Sequence, residues 1–336
     1  MPAPDFNYPA VREGDWRISD FKFHTGEVLP ELNLHYTSIG EPTGEPVLVL
    51  HGTLGSGAGL LNPNFGDELF GPGQVLDANR YFIILPDAIG TGKSSKPSDG
   101  LRMKFPKYNY MDMVTAQHRL VTEHLGIKHL RALLGYSMGG MHVWQWAQQY
   151  PDMMDIAVPM ASLPTEMSGR NWMMRRLIID SIRKDPDWLD GNYLQQPASL
   201  QFASAFYSIA TNGGSMAIAT TANTRADADA LLDAKLTERF EGDANDHLYQ
   251  WSASADYNAS AGLEQINAAL LAINSADDER YPIENRVLER EIKRVKNGKA
   301  FTIPASELTS GHGTALHAKS WKHELANLLE NTPRKT

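Results

Sequence analysis

In Gly135-Tyr136-Ser137-Met138-Gly139-Gly140 a serine stands between glycines, directly after the apolar run Ala132-Leu133-Leu134 and before the helix-like stretch MHVWQWAQQY. A strand that turns this sharply into a helix leaves no room for β-carbons around the serine, and the serine is held in a strained backbone conformation that projects its oxygen. Such a serine is a candidate nucleophile. The Met138 N–H, at the helix start, can then face an oxyanion. A glycine-rich turn whose serine only caps the helix would explain the pentapeptide alone, but the flanking strand and helix favour the nucleophile. A second oxyanion donor should come from the loop after an earlier apolar strand. Val47-Leu48-Val49-Leu50 ends in His51-Gly52-Thr53-Leu54-Gly55, which nominates the Thr53 N–H, with Leu54 in reserve. His51 reads as a structural histidine bonded to loop backbone rather than as the base.

A serine on such a turn needs an acid and a histidine, which follow it in that order. After the apolar run Ala268–Ile273 comes Asn274-Ser275-Ala276-Asp277-Asp278-Glu279-Arg280-Tyr281-Pro282. A carboxylate at a strand's C-terminal end, with proline four positions later, suits Asp278 as the orienting acid; Asp277 is the alternative. The remaining acids of this run read as a solvated turn. Ser310-Gly311-His312-Gly313-Thr314 then follows the final strand. A histidine between glycines can reach the serine, take its proton and return it to a leaving group. His317 is the rival, expected on a solvated helix face; His118, His124 and His129 read as bystanders.

These groups need a scaffold that brings strand ends together. Apolar runs at 47–50, 81–85, 132–134, 156–158, 268–273 and 300–303 alternate with helical periodicity, as in MDMVTAQHRLVTEHLGI, with Met113, Ala116, Leu120 and Leu125 near one face. An early hairpin, FKFHTGEV then LNLHYTSIG, precedes them. The pattern predicts an α/β fold with a mostly parallel, doubly wound sheet covered on both faces. From about 163 to 262 the chain reads as helical, an insertion expected to cap the site, with 1–162 and 263–336 forming the core domain. Met167, Trp172, Met173, Met174, Phe202, Phe206 and Tyr207 in the insertion could line an apolar pocket, although simple packing explains each one singly. Arg175 and Arg176 could meet an acidic group, but a solvated helix face is the simpler reading.

Composition narrows the rest. The chain has 336 residues with 42% hydrophobic and 21% charged, and its formal net charge is -9 from 31 basic and 40 acidic residues. That balance argues against nucleic-acid binding. Without cysteine, disulfides and thiol chemistry are excluded. No apolar stretch is long enough to span a membrane. The opening MPAPDFNYPAVREGDW lacks a basic segment followed by an apolar run, so no signal peptide and a cytoplasmic location are expected. Asp87-Ala88-Ile89-Gly90-Thr91-Gly92-Lys93-Ser94 imitates a phosphate-binding loop, but Asp87 stands where the motif needs glycine. Gly55-Ser56-Gly57-Ala58-Gly59 is followed by leucine where a dinucleotide fingerprint needs glycine. No cofactor and no metal site is expected.

With these residues located, the chain resembles the homoserine O-acetyltransferase family of α/β-hydrolases over roughly 52–329. The resemblance is carried by Phe70-Gly71-Pro72-Gly73, Asp112-Met113-Val114-Thr115-Ala116-Gln117 and Ser137-Met138-Gly139-Gly140-Met141. In the insertion it is carried by Asp185-Pro186-Asp187-Trp188, Arg239-Phe240 and Asp243-Ala244-Asn245. It implies an α/β-hydrolase fold, a helical lid over a deep site, an acyl-serine intermediate and commonly a homodimer. Three departures bear on substrate. Gly313 stands where the family follows its histidine with an aspartate for the amino group of homoserine; the place of the family's lid arginine for the substrate carboxylate falls near Ser204; and His51-Gly52-Thr53-Leu54 replaces the family's H-A-L-T loop. Missing charge partners argue against homoserine. The expected activity is therefore serine-dependent hydrolysis of small carboxylic esters; the alternative is O-acyl transfer from acyl-CoA to an alcohol such as homoserine.

Overall fold

The computed structural model describes residues 9–237 and 242–335. Arg239 and Phe240 lie outside them. One eight-stranded sheet runs in the order β1-β2-β4-β3-β5-β6-β7-β8. Its strands are β1 (Arg12–Lys22), β2 (Val28–Ile39), β3 (Glu45–Leu50), β4 (Tyr81–Pro86), β5 (Leu130–Tyr136), β6 (Met154–Met160), β7 (Ala269–Ser275) and β8 (Gly298–Ile303). β1 and β2 form an antiparallel hairpin and β2 is antiparallel to β4, whereas β4, β3, β5, β6, β7 and β8 run parallel to one another. The mostly parallel sheet expected from the apolar runs is therefore present.

Alternation along the strands explains the two covered faces. Leu48 and Leu50 of β3 pack with Phe82 and Ile84 of β4 in one core, beneath α2 (Tyr110–Arg119) and α3 (Met138–Gln149). Val47 and Val49 pack with Ile83 and Leu85 in the other, against α1 (Gly66–Leu69) and the C-terminal helix. The edge strands β1 and β8 are more exposed. The long run read as one helix is α-helical only to Arg119; Leu120–His124 continues as a wider π turn.

Between β6 and β7 the described chain is helical: α4 (Gly169–Lys184), α5 (Ala198–Thr211), α6 (Ser215–Thr221), α7 (Arg225–Thr237) and α8 (Ala244–Ser252). Ile178, Ile182, Trp188, Leu200 and Leu248 give this stretch a small core of its own. After β7 come α9 (Val287–Glu291), β8 and α10 (Lys322–Asn331). No helix among the described residues is long and apolar enough to cross a membrane.

The chain end is tied to the sheet by a buried cation. Arg131 of β5 donates to Asp155 Oδ2 at 3.0 Å and to the carbonyls of Leu329, Thr332 and Pro333. Removing one partner of a buried ion pair strands the other. Arg131→Met is expected to cost roughly 3 kcal/mol in a denaturant-unfolding measurement; a loss within error of zero would show that Asp155 is adequately held by His129 and the Lys335 N–H alone.

Candidate active site

β5 delivers Ser137 to the turn before α3 with φ 54° and ψ -109°. A β-carbon at Gly135 would meet the Gly139 carbonyl at 2.1 Å, and one at Gly139 would meet the Leu50 carbonyl at 2.3 Å. The glycines are therefore required by contact between the turn and the end of β3. Ser137 N–H donates to the Met160 carbonyl at 2.9 Å and Gly139 N–H to the His51 carbonyl at 3.0 Å, which holds the turn between β3 and β6.

His312 arrives after β8, three strands along the sheet from β5, on a 3-10 turn (Gly311–Leu316) rather than an irregular loop. Its Nε2 accepts from Ser137 Oγ at 2.9 Å, and its Nδ1–H donates to Asp278 Oδ2 at 2.8 Å. Asp278 Oδ1 accepts the Arg280 N–H at 2.8 Å. All three side chains are buried, at 2%, 1% and 2% exposure. The structure thus brings together the serine, the histidine and, of the two adjacent aspartates, Asp278.

Asp277 and Glu279, expected on a solvated turn, instead build the histidine's seat. Asp277 accepts from Ser275 Oγ, from Thr309 Oγ1 at 2.7 Å and from the Gly311 N–H at 3.3 Å. Glu279 accepts the Gly214 N–H at 2.8 Å and the His312 N–H at 3.2 Å. The Tyr136 hydroxyl donates to the His312 carbonyl at 3.3 Å. Sequence reading missed this role of theirs; its one signal was adjacency to the serine and the acid.

The Gly52 β position faces the Tyr136 ring at 3.0 Å and Ser137 Cβ at 3.5 Å, so the His51–Leu54 loop lies against the serine. Among the described residues neither the Thr53 nor the Met138 N–H is engaged by another group. His51 is buried; its Nδ1–H donates to the Gly52 carbonyl and its Nε2 accepts the Ala88 N–H. The Asp87 carboxylate accepts the Gly57 and Lys93 N–H groups, occupying with its own charge the loop that imitates a phosphate cradle. His118 stacks on Tyr150, and His317 sits between two 3-10 turns rather than in a helix.

The insertion's apolar residues divide. Met174 and Tyr207 are buried, whereas Met173, Phe202 and Phe206 are exposed. Arg176 lies on a solvated face beside Asp180, as expected. Arg175 does not: it is fully buried, its Nε donating to Asn171 Oδ1 and its Nη1 to Ser254 Oγ.

Burial and then the Arg280 cation push the His312 pKa down to about 4, against Asp278, which favours the charged form. Burial opposes charge on Asp278 too, yet His312 and the Arg280 N–H hold its pKa below the usual carboxylate value. The site therefore rests as neutral imidazole beside a carboxylate, the state that accepts a serine proton.

Comparison with known proteins gives the same picture. Residues 45–214 match the family described as alpha/beta hydrolase fold. A homoserine O-acetyltransferase of Haloarcula marismortui is 33% identical over 306 residues, covering 76% of this chain and 74% of that protein. The chain belongs to the homoserine O-acetyltransferase family of α/β-hydrolases. Among solved structures, a homoserine O-acetyltransferase from Bacillus anthracis superposes with TM-score 0.84 at 21% identity, over 97% of this chain and 99% of that one. An acetylester hydrolase from Corynebacterium glutamicum superposes at 0.81 and 20% identity, over 95% and 96%. At those identities the superpositions establish the fold. It is an enzyme family of serine-type acyl transfer or hydrolysis, and the names of the relatives favour transfer over the hydrolysis expected from sequence.

His312 is expected to remain neutral down to about pH 4 in an imidazole NMR titration. Because the folded value lies below that of a free histidine, its contribution to stability is complete above about pH 6.5 and is lost as pH falls towards 4. Arg280→Met should raise the midpoint. A wild-type midpoint at or above the free-histidine value would contradict this electrostatic reading.

Proposed function

We propose that this enzyme moves an acyl group through a covalent ester on Ser137 and delivers it to an alcohol, as an O-acyltransferase. What carries the proposal is the unbroken chain from Asp278 through His312 to Ser137, ending at a serine in strained backbone beside two unengaged N–H groups. His312 Nε2 takes the serine proton as Oγ attacks the acyl carbonyl. The Thr53 and Met138 N–H groups stabilise the oxyanion while Asp278 stabilises the imidazolium. The imidazolium returns its proton to the departing group, leaving acyl-Ser137. His312 then deprotonates the acceptor hydroxyl, which attacks the acyl-serine and restores the free enzyme. The helices α4 to α8 act as a lid that limits water.

The choice of an alcohol acceptor rests on the relatives' names. Hydrolysis of the same intermediate is the second reading, and one observation favours it. Gly313 brings no side chain to the site, and Asp277, Asp278 and Glu279 are each engaged by neighbouring groups. A substrate ammonium would lack a free carboxylate partner, at a cost on the order of several kcal/mol. An acceptor without an amino group, or water, fits this site better than homoserine does.

Acetyl transfer from p-nitrophenyl acetate distinguishes the readings. Ser137→Ala is expected to lower p-nitrophenol release by at least about 10⁴-fold, and Asp278→Asn by about 10³- to 10⁴-fold. Under the transferase reading, added short alcohols accelerate release and appear as acetyl esters. Release insensitive to every alcohol, with acetate the only product, would establish hydrolysis. Undiminished release in Ser137→Ala would overturn both.

A further inference from the structure

Arg175 projects from α4 into the interior and is 0% exposed. Its neighbours do not neutralise it. Nε and Nη1 donate to the neutral oxygens of Asn171 and Ser254 at 3.1 and 3.2 Å, while Nη2 has no partner. The ionisable groups that act on it are tyrosines, Tyr110, Tyr207 and Tyr281, and no carboxylate among the described residues pairs with it. The Trp251 ring lies 4.9 Å from the guanidinium carbon, a contact that favours the cation without compensating its charge. A buried, unpaired cation is costly to keep in a folded protein.

The polar atoms around it are left open in the same sense. Asn171 Nδ2, Trp251 Nε1 and the Tyr207 hydroxyl are buried without hydrogen-bond partners. Each can donate. The Tyr207 ring lies 4.7 Å from that of Trp251 at a tilt of 56°, and Arg280 lies 4.8 Å over Tyr207. Tyr281 lies near Arg175 and its ring is 5.9 Å from that of His312. Arg175 is also close enough to His312 to disfavour protonation of the imidazole. A donor-rich, positively charged cluster of side chains therefore lies beside His312.

We propose that Arg175, with Asn171, Tyr207 and Trp251, forms a subsite for a single carboxylate carried by the substrate. The charge balance calls for a monoanion. Arg175 has no carboxylate partner, and the negative charge of Asp277, Asp278 and Glu279 on the neighbouring loop disfavours a second negative charge on the ligand. The family resemblance assigns carboxylate binding to a lid position near Ser204, not to this residue. The subsite rests on the acyl-serine reading of Ser137 and specifies the substrates that would reach it: esters with a carboxylate on either the acyl or the alcohol part, and no ammonium. Arg175 is then a specificity-determining residue, not a proton carrier.

The test compares matched esters by titration of released acid. Mono-ethyl succinate against ethyl butyrate places the charge on the acyl side; 3-acetoxypropanoate against propyl acetate places it on the alcohol side. Wild type should prefer the anionic member of one pair, which identifies the side. Arg175→Gln should collapse that preference by about 30- to 100-fold in kcat/KM, mainly through KM, with Arg175→Lys recovering part of it. Calorimetry of mono-ethyl succinate and of 3-acetoxypropanoate with Ser137→Ala, and with Ser137→Ala/Arg175→Gln, reads binding without turnover. Arg175-dependent binding without wild-type turnover would support the subsite and sink the acyl-serine reading. Turnover with no charge preference in either pair, or equal losses on neutral and anionic esters in Arg175→Gln and Arg175→Lys, would overturn the subsite.

Discussion

Everything at the site depends on one backbone conformation. Ser137 is held at positive φ, a region that costs a non-glycine residue roughly 1–3 kcal/mol. The parallel strands β3, β5 and β6 impose it. β5 ends between the other two, and its Ser137 and Gly139 N–H groups are claimed by the Met160 and His51 carbonyls of the flanking strand ends. Gly135 and Gly139 exist because the main chain of the turn passes against itself and against Leu50. Held this way, the serine oxygen meets His312, and the loop after β3 has nowhere to go but alongside.

The surrounding charges follow from burial. Asp278 stays ionised in a dry position because His312 and the Arg280 N–H bond to it. Asp277 and Glu279 gather N–H and hydroxyl groups from the histidine's turn and from the segment after α5, so these two acids hold the turn while Asp278 holds the imidazole. Asp87 does similar work below, filling a loop of backbone donors from within. Arg175 breaks this pattern, because among the described residues no carboxylate pairs with this buried charge.

Much of this was legible in the sequence because the signals were local. Apolar runs of strand length marked β3 to β7, which are buried on both faces, and the glycines around Ser137 marked the turn. The antiparallel β1–β2 hairpin extended further than its apolar residues suggested, because an edge strand with a solvated face carries many polar side chains. Asp278 could be preferred over Asp277 by spacing, but what separates them is the direction each carboxylate takes from the loop, and that depends on tertiary contacts. Arg175 was misread as solvated because it adjoins Arg176. Helical spacing did carry the warning: Arg175 falls in register with Ile178, Ile179 and Ile182, the buried stripe of α4, whereas Arg176 pairs across one turn with Asp180.

The central claim is a covalent acyl group on Ser137 formed with His312 as base. Its most direct test is mass spectrometry of peptides from enzyme quenched in acid during turnover of p-nitrophenyl acetate, for wild type and His312→Ala. The expected result is one acetyl group on the peptide containing Ser137 in wild type, lost in His312→Ala. Acetylation found elsewhere, or no acetylation of Ser137 while product is being released, would contradict it.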